Sequence, residues 1–224
     1  MASPTSISLR LPVAARPLRR LSHWLFERFA RTVMWVYCPL DVRGVEHLPP
    51  FPFLVCANHC SHLDSIVLMS GSGQAFHRFG MLAAKDYFFR NQIVARCFSL
   101  LVNLIPLERS STTASFNETI LLCRQFLDGG GGALILFPEG TRSRTGEIGE
   151  FKRGPGVFAA KLGLPIVPAY ISGTGAAMPR GYFFPKPGRV RLRFAPAVVP
   201  QPGCSPVDLM AETHRRIAAL MKDC

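Results

Sequence analysis

The sequence predicts an α/β fold: a single domain with a mostly parallel central sheet flanked by helices, preceded by an amphipathic N-terminal helical segment. Three observations carry this. Short unbroken apolar runs at residues 53–57, 133–137 and 165–171 read as strands buried on both faces. Segments of helical periodicity separate them, and that alternation lays helices over a sheet. A chain of 224 residues that is 48% hydrophobic and only 18% charged supports one sizeable core and excludes a disordered protein.

In chain order, residues 1–17 read as a flexible basic tail and residues 18–40 as a membrane-docking amphipathic helix, leaving residues 41–224 as the globular domain. The tail carries Arg10 and Arg16 and no acid, a composition that also fits an organellar transit peptide, whereas Glu27, Arg28 and Arg31 interrupt any secretory signal. At about 100° per residue, Arg20, Glu27 and Arg31 fall together while Leu21, Leu25, Phe29, Val33 and Val36 gather opposite. Trp24, Trp35 and Tyr37 add interfacial aromatics, so this helix fits a headgroup layer or, equally, the surface of its own domain.

Residues 41–50 read as a short strand and turn, 53–57 as a strand that breaks at Asn58, and 62–69 as a helix. Helical periodicity marks residues 82–101 and 112–127, and Gly129 to Gly132 stop the second of these. Residues 133–137 form the next strand, 154–162 a helix, 165–171 a strand, 189–194 a half-exposed strand by alternation, and 206–222 a final amphipathic helix.

The formal charge of +12 predicts a polyanionic partner. Nucleic acid is excluded as that partner, because the basic residues are scattered without zinc-finger spacing or an aromatic ribonucleoprotein motif; an anionic membrane surface or a phosphorylated small molecule remains. Seven cysteines, an odd count without a C-x-x-C pair, do not look like a disulfide framework and fit a reducing compartment, with Cys56, Cys97 and Cys123 as core residues. No run of 18 apolar residues marks a transmembrane helix.

The segment from Asn58 to Asp64, Asn-His-Cys-Ser-His-Leu-Asp, follows a buried strand and opens a helix, where α/β folds place their chemistry. There His59 and Asp64 can pair, the carboxylate fixing one ring nitrogen and leaving the other to take a proton from a hydroxyl. A competing reading is open: Ser61-x-x-Asp64 fits a capping box, with Asp64 spent on backbone amides. His62 reads as solvent-facing. A metal set of His59, Cys60, His62 and Asp64 lacks a familiar zinc spacing, and a Cys60 nucleophile lacks any sign of an activated thiol.

Residues 137–143, Phe-Pro-Glu-Gly-Thr-Arg-Ser, follow another buried strand. Gly140 allows close backbone approach, Thr141 offers a hydroxyl and Arg142 a forked cation suited to phosphate. The nearby glycine run is not a phosphate loop, because the Gly-Lys-Ser/Thr ending is missing.

His59-x4-Asp64 together with this second segment about eighty residues later resembles the glycerophospholipid acyltransferase family, which includes the 1-acylglycerol-3-phosphate acyltransferases. Ala84-Lys85, the block from Leu104 to Arg109 and the block from Ile166 to Tyr170 extend the resemblance over roughly residues 42–198. Asn103 and Pro106 or Leu107 stand where that family usually has Gly and Phe. The resemblance implies an O-acyltransferase that moves a fatty acyl group from acyl-CoA or acyl-carrier protein, as co-substrate, to a lysophospholipid hydroxyl without metal or cofactor. It implies His59 and Asp64 as catalytic residues, with Lys85, Arg109, Glu139, Gly140, Thr141 and Arg142 binding substrate. Its implied setting is the cytoplasmic face of a membrane, the bacterial inner membrane, as a peripheral or monotopic protein. Other lysolipids, such as lyso-ornithine lipid, and a non-catalytic lipid-binding or membrane-shaping role are the alternatives.

Overall fold

The computed structural model describes residues 16–88, 98–108 and 112–223. The expected tail before Arg16, Cys97 and Arg109 lie outside the described residues.

Seven strands form one sheet: β1 (Leu40–Arg43), β2 (Phe53–Ala57), β3 (Phe79–Ala84), β4 (Asn103–Leu107), β5 (Ala133–Leu136), β6 (Ile166–Ser172) and β7 (Val190–Phe194), in spatial order β1-β7-β6-β2-β5-β3-β4. All neighbours run parallel except β6 and β7. The helices are α1 (Arg16–Tyr37), α2 (Leu63–Gly71), α3 (Lys85–Phe88), α4 (Thr113–Asp128), α5 (Gly154–Leu162), α6 (Thr174–Ala177) and α7 (Pro206–Met221).

Side chains alternate across the central strands, and this splits the core in two. Phe53, Val55 and Ala57 of β2 and Ala133 and Ile135 of β5 face a layer containing Ala30, Met34, Leu63 and Val67 of α1 and α2. Leu54, Cys56, Leu134 and Leu136 face Ile120, Cys123, Phe158, Leu209 and Met210 of α4, α5 and α7. Both strands are therefore apolar at every position, as their sequences required. α4 begins on Thr112, which accepts from Ser115 N–H at 3.3 Å, and α7 on Ser205, which accepts from Asp208 N–H at 3.1 Å. The glycine run closes α4 against the sheet: a Cβ on Gly132 would stand 2.6 Å from the Phe51 ring.

Two expectations are corrected. Residues 82–84 end a strand and do not begin a helix; among the described residues of the expected span, 85–88 and 98–101 are helical. The burial along β3, two residues in and one partly out, repeats every three residues and so imitates a helical period. Its partner β4 holds Pro106, which the sheet tolerates because β4 is an edge strand. In β7 only Arg191 is exposed, against the expected alternation. Arg193 is buried with its charge paired: Nη2 donates to Asp41 Oδ2 at 2.6 Å and Nη1 to the Asp41 carbonyl at 2.9 Å, while Nε is buried without a partner.

α1 lies on the domain by a mixed face, on which Ala30 and Met34 enter the core beside buried His23 and Glu27. Glu27 is buried: its Oε1 accepts from Arg31 Nε at 3.0 Å and its Oε2 from Phe76 N–H at 3.0 Å. Arg31 donates in turn to the Ser70 and Gln74 carbonyls, both at 2.9 Å. Nearer its start, Arg19 donates to Asn103 Oδ1 at 2.7 Å and Ser22 to the Leu100 carbonyl at 2.6 Å. The opposite face, Leu18, Leu21, Trp24, Leu25, Phe29, Trp35 and Val36, stands in solvent, with Trp35 80% exposed. An ordinary surface helix has the reverse arrangement. No helix among the described residues is long and apolar enough to cross a membrane.

Glu27→Ala should therefore loosen α1. It leaves the Phe76 N–H and the Arg31 guanidinium short of an acceptor, a loss of about 2 kcal/mol. Thermal unfolding should fall by about 4–8 °C, and an unchanged midpoint would show that this clamp contributes nothing.

Candidate active site

β2 and β5 are adjacent and parallel, with Cys56 opposite Leu136, so the segments that follow both strands emerge side by side at one edge of the sheet. Three contacts lock them together. His59 N–H donates to Glu139 Oε1 at 2.9 Å, Ser143 N–H donates to the His59 carbonyl at 2.7 Å, and the His59 ring stacks on Phe137 with centroids 3.9 Å apart.

The Asp64 side chain is fully buried, at 0% exposure, in the first turn of α2. One oxygen, Oδ2, accepts from His59 Nδ1 at 2.8 Å, from Cys60 N–H at 2.7 Å and from Ser61 N–H at 2.9 Å. The same carboxylate oxygen thus grips the imidazole and two backbone amides of the turn that leads into α2. Because a carboxylate offers only acceptors, the Nδ1 proton must point at Asp64, and Nε2 is left with its lone pair. Asp64 Oδ1 is buried without a hydrogen-bond partner, so its charge is compensated only through Oδ2.

Glu139 is a buried carboxylate that organises backbone: besides His59 N–H it accepts from Gly149 N–H at 3.2 Å. Burial pushes its carboxyl above the usual carboxylate range, against the downward pull of these two donors. Gly140 adopts φ +69°, a left-handed conformation that strains any larger residue, with Lys152 Nζ packed over it. Thr141 lies exposed beyond it, and the Arg142 carbonyl accepts from Arg180 Nη2 at 2.8 Å.

The cations here reach His62. Loss of water around its ring, followed by the charges of Arg142, His59 and Arg180, lowers its imidazole to about 4, although the residue is exposed as expected. Cys60 shifts the other way: burial, with Asp64 and Glu139 nearby, raises its thiol to about 11, which disarms it as a nucleophile. Lys85 lies apart from this cluster in its contacts, its Nζ bound to Glu108 Oε1 at 2.9 Å.

Three residues outside the expected catalytic and substrate-binding sets hold the site in shape. Asn58 is buried and exchanges two hydrogen bonds with Ile171 of β6, donating to its carbonyl at 2.9 Å and accepting from its N–H at 2.8 Å. Ser61 donates to the Met178 carbonyl at 2.8 Å, and Phe137 supplies the platform for His59. A polar residue ending a buried strand was the only signal for Asn58.

The family described as Acyltransferase matches residues 39–172. The "1-acyl-sn-glycerol-3-phosphate acyltransferase BAT2, chloroplastic" of Brassica napus is 31% identical over 165 residues, 73% of this chain and 46% of that protein. The 1-acyl-sn-glycerol-3-phosphate acyltransferase of Pseudomonas aeruginosa is 24% identical over 191 residues, 81% of this chain and 70% of that one. The crystal structure of the 1-acyl-sn-glycerophosphate (LPA) acyltransferase, PlsC, from Thermotoga maritima superposes with a TM-score of 0.71 at 25% identity, covering 95% of this chain and 84% of that one. This chain spans about half the length of the plant relatives it matches.

Proposed function

Since this chain belongs to the acyltransferase family, we propose that it transfers a fatty acyl group from acyl-CoA or acyl-carrier protein to the free hydroxyl of 1-acylglycerol-3-phosphate, giving phosphatidic acid. The observation that carries the reading is the His59–Asp64 pair at 2.8 Å, on a turn whose backbone is bonded to the loop that bears Arg142.

His59 Nε2 removes the proton from the acceptor hydroxyl as its oxygen attacks the thioester carbonyl carbon. The resulting imidazolium is stabilised by the buried Asp64 carboxylate. Collapse of the tetrahedral intermediate breaks the carbon–sulfur bond, and the imidazolium returns its proton to the departing thiolate. No metal ion takes part. Arg142, together with Arg109 and Lys85, holds the acceptor's phosphate, which fixes the hydroxyl in line with the base. Glu139, Gly140 and Thr141 shape the loop around the glycerol part.

α1 supplies the route to a lipid acceptor. Its solvent-facing apolar row enters the interface of an anionic membrane while Arg20 and Arg28 meet the headgroups. The protein then works as a peripheral or monotopic enzyme at the cytoplasmic face of a membrane, the bacterial inner membrane in this reading.

Thiol release from acyl-CoA, followed with and without lysophosphatidate, tests the activity. Release that requires the acceptor supports transfer; release without it would indicate a thioesterase. No release with any lysolipid, lyso-ornithine lipid included, would leave only a lipid-binding role. Arg142→Ala should raise the acceptor's KM about tenfold or more, as expected for loss of a charge-assisted pair, and leave the donor's KM near its original value. An unchanged acceptor dependence removes Arg142 from the phosphate site.

A further inference from the structure

The loop between α6 and β7 carries Tyr182, Phe183 and Phe184 in succession, and Phe183 is 100% exposed while both neighbours are about half exposed. Single exposed apolar side chains are ordinary, but three adjacent aromatics on a fixed loop form a patch.

This loop is held from several sides. Tyr182 N–H closes a turn onto the Pro179 carbonyl at 3.2 Å, Lys186 N–H donates to the Ala177 carbonyl at 2.7 Å, and Gly188 N–H donates to the Tyr37 carbonyl at 2.9 Å. Pro185 is buried between them. Phe184 meets Tyr37, the last residue of α1, edge to face at 5.5 Å, so the patch continues directly into the exposed apolar row of that helix through Val36 and Trp35.

We infer that Tyr182, Phe183 and Phe184 form a second bilayer-contacting element that enlarges the docking face of α1 on an anionic membrane. The inference rests on the membrane-docking reading of α1 given above. Charge argues for lipid as the occupant: Arg180, Lys186 and Arg189 are exposed around the aromatics, and Lys186 Nζ lies 4.2 Å from the Tyr182 ring centroid. Aromatic rings with adjacent cations match the boundary between acyl chains and anionic headgroups. The base of the loop also touches both chemical segments, through the Met178 carbonyl to Ser61 and through Arg180 to the Arg142 carbonyl. Insertion of the loop therefore sets the height of the His59 site above the lipid.

Bromine-labelled phosphatidylcholine mixed with phosphatidylglycerol in vesicles gives a depth readout on the full chain. In the native protein Trp24 and Trp35 report on α1; in a Trp24→Phe, Trp35→Phe, Phe183→Trp variant the new indole reports on the loop. Quenching in both is the expected result. Quenching of the native protein without quenching at position 183 overturns the loop inference and leaves α1 docking standing. No quenching in either sinks the docking reading itself. Phe183→Ser with Phe184→Ser should weaken vesicle partition about tenfold, while turnover on a short-chain acceptor kept below its micelle concentration stays unchanged. A vesicle partition equal to the native value, or a native dimer in solution that this double variant dissolves, would assign the patch to something other than lipid.

Discussion

His59→Ala is expected to lower acyl transfer by about 10²–10⁴-fold, the range over which a positioned general base contributes, with the fold essentially intact. The ring makes one hydrogen bond, to Asp64, and one stacking contact, with Phe137. Losing the stack and the hydrogen bond to the buried carboxylate costs about 2 kcal/mol, so the unfolding midpoint should fall by about 4–8 °C. Backbone contacts that align the loops, from His59 N–H to Glu139 and from Ser143 N–H to the His59 carbonyl, survive truncation of the side chain. The neighbouring His62 cannot take over silently. With its imidazole lowered to about 4, it is neutral across the neutral range and protonates as the pH falls toward that value, so a loss of rate on acidification well above about pH 5 points to a group other than His62. Retention of full turnover by His59→Ala, measured as acceptor-dependent thiol release, would remove His59 from the mechanism.

The contrast between the two histidines shows what the sequence could reveal. The strands were legible wherever both faces are buried, as in β2 and β5, because uniform apolar burial leaves an uninterrupted run. β3 was hidden because its partial exposure recurs every third residue, and β4 because it is short and Pro106 removes a ladder donor from its middle. In the site, spacing indicated that His59 and Asp64 could meet, but it could not show that one oxygen serves the ring and two backbone amides together. Contacts such as Asn58 to Ile171, 113 residues away in the chain, depend on strand order, and no local pattern encodes that. The orientation of α1 was half legible: the two faces were evident from periodicity, whereas the inward turn of Glu27 and Arg31 follows from the Phe76 N–H and the Ser70 and Gln74 carbonyls, which only the folded domain brings near.

Asp64 is where fold and chemistry are hardest to separate, and a pair of substitutions separates them. Asp64→Ala removes the acceptor for three N–H groups in a fully buried position, two of them backbone donors at the start of α2. The orphaned amides should cost about 3 kcal/mol, lowering the midpoint by roughly 6–12 °C, and turnover should fall by about 10³-fold or more as the ring loses its orientation. Asp64→Asn keeps an amide oxygen that still accepts from Cys60 and Ser61, so the helix start closes and less stability is lost. Its neutral group, however, no longer balances the positive charge that His59 acquires on taking the hydroxyl proton. Beside a fully buried carboxylate position, that loss is worth about 10²–10³ in rate. The expected pattern is therefore a large drop in turnover for both variants but a large drop in stability only for Asp64→Ala. Should Asp64→Asn turn over at close to the native rate, the carboxylate would be a helix cap alone, and the proton would have to leave the acceptor by another route.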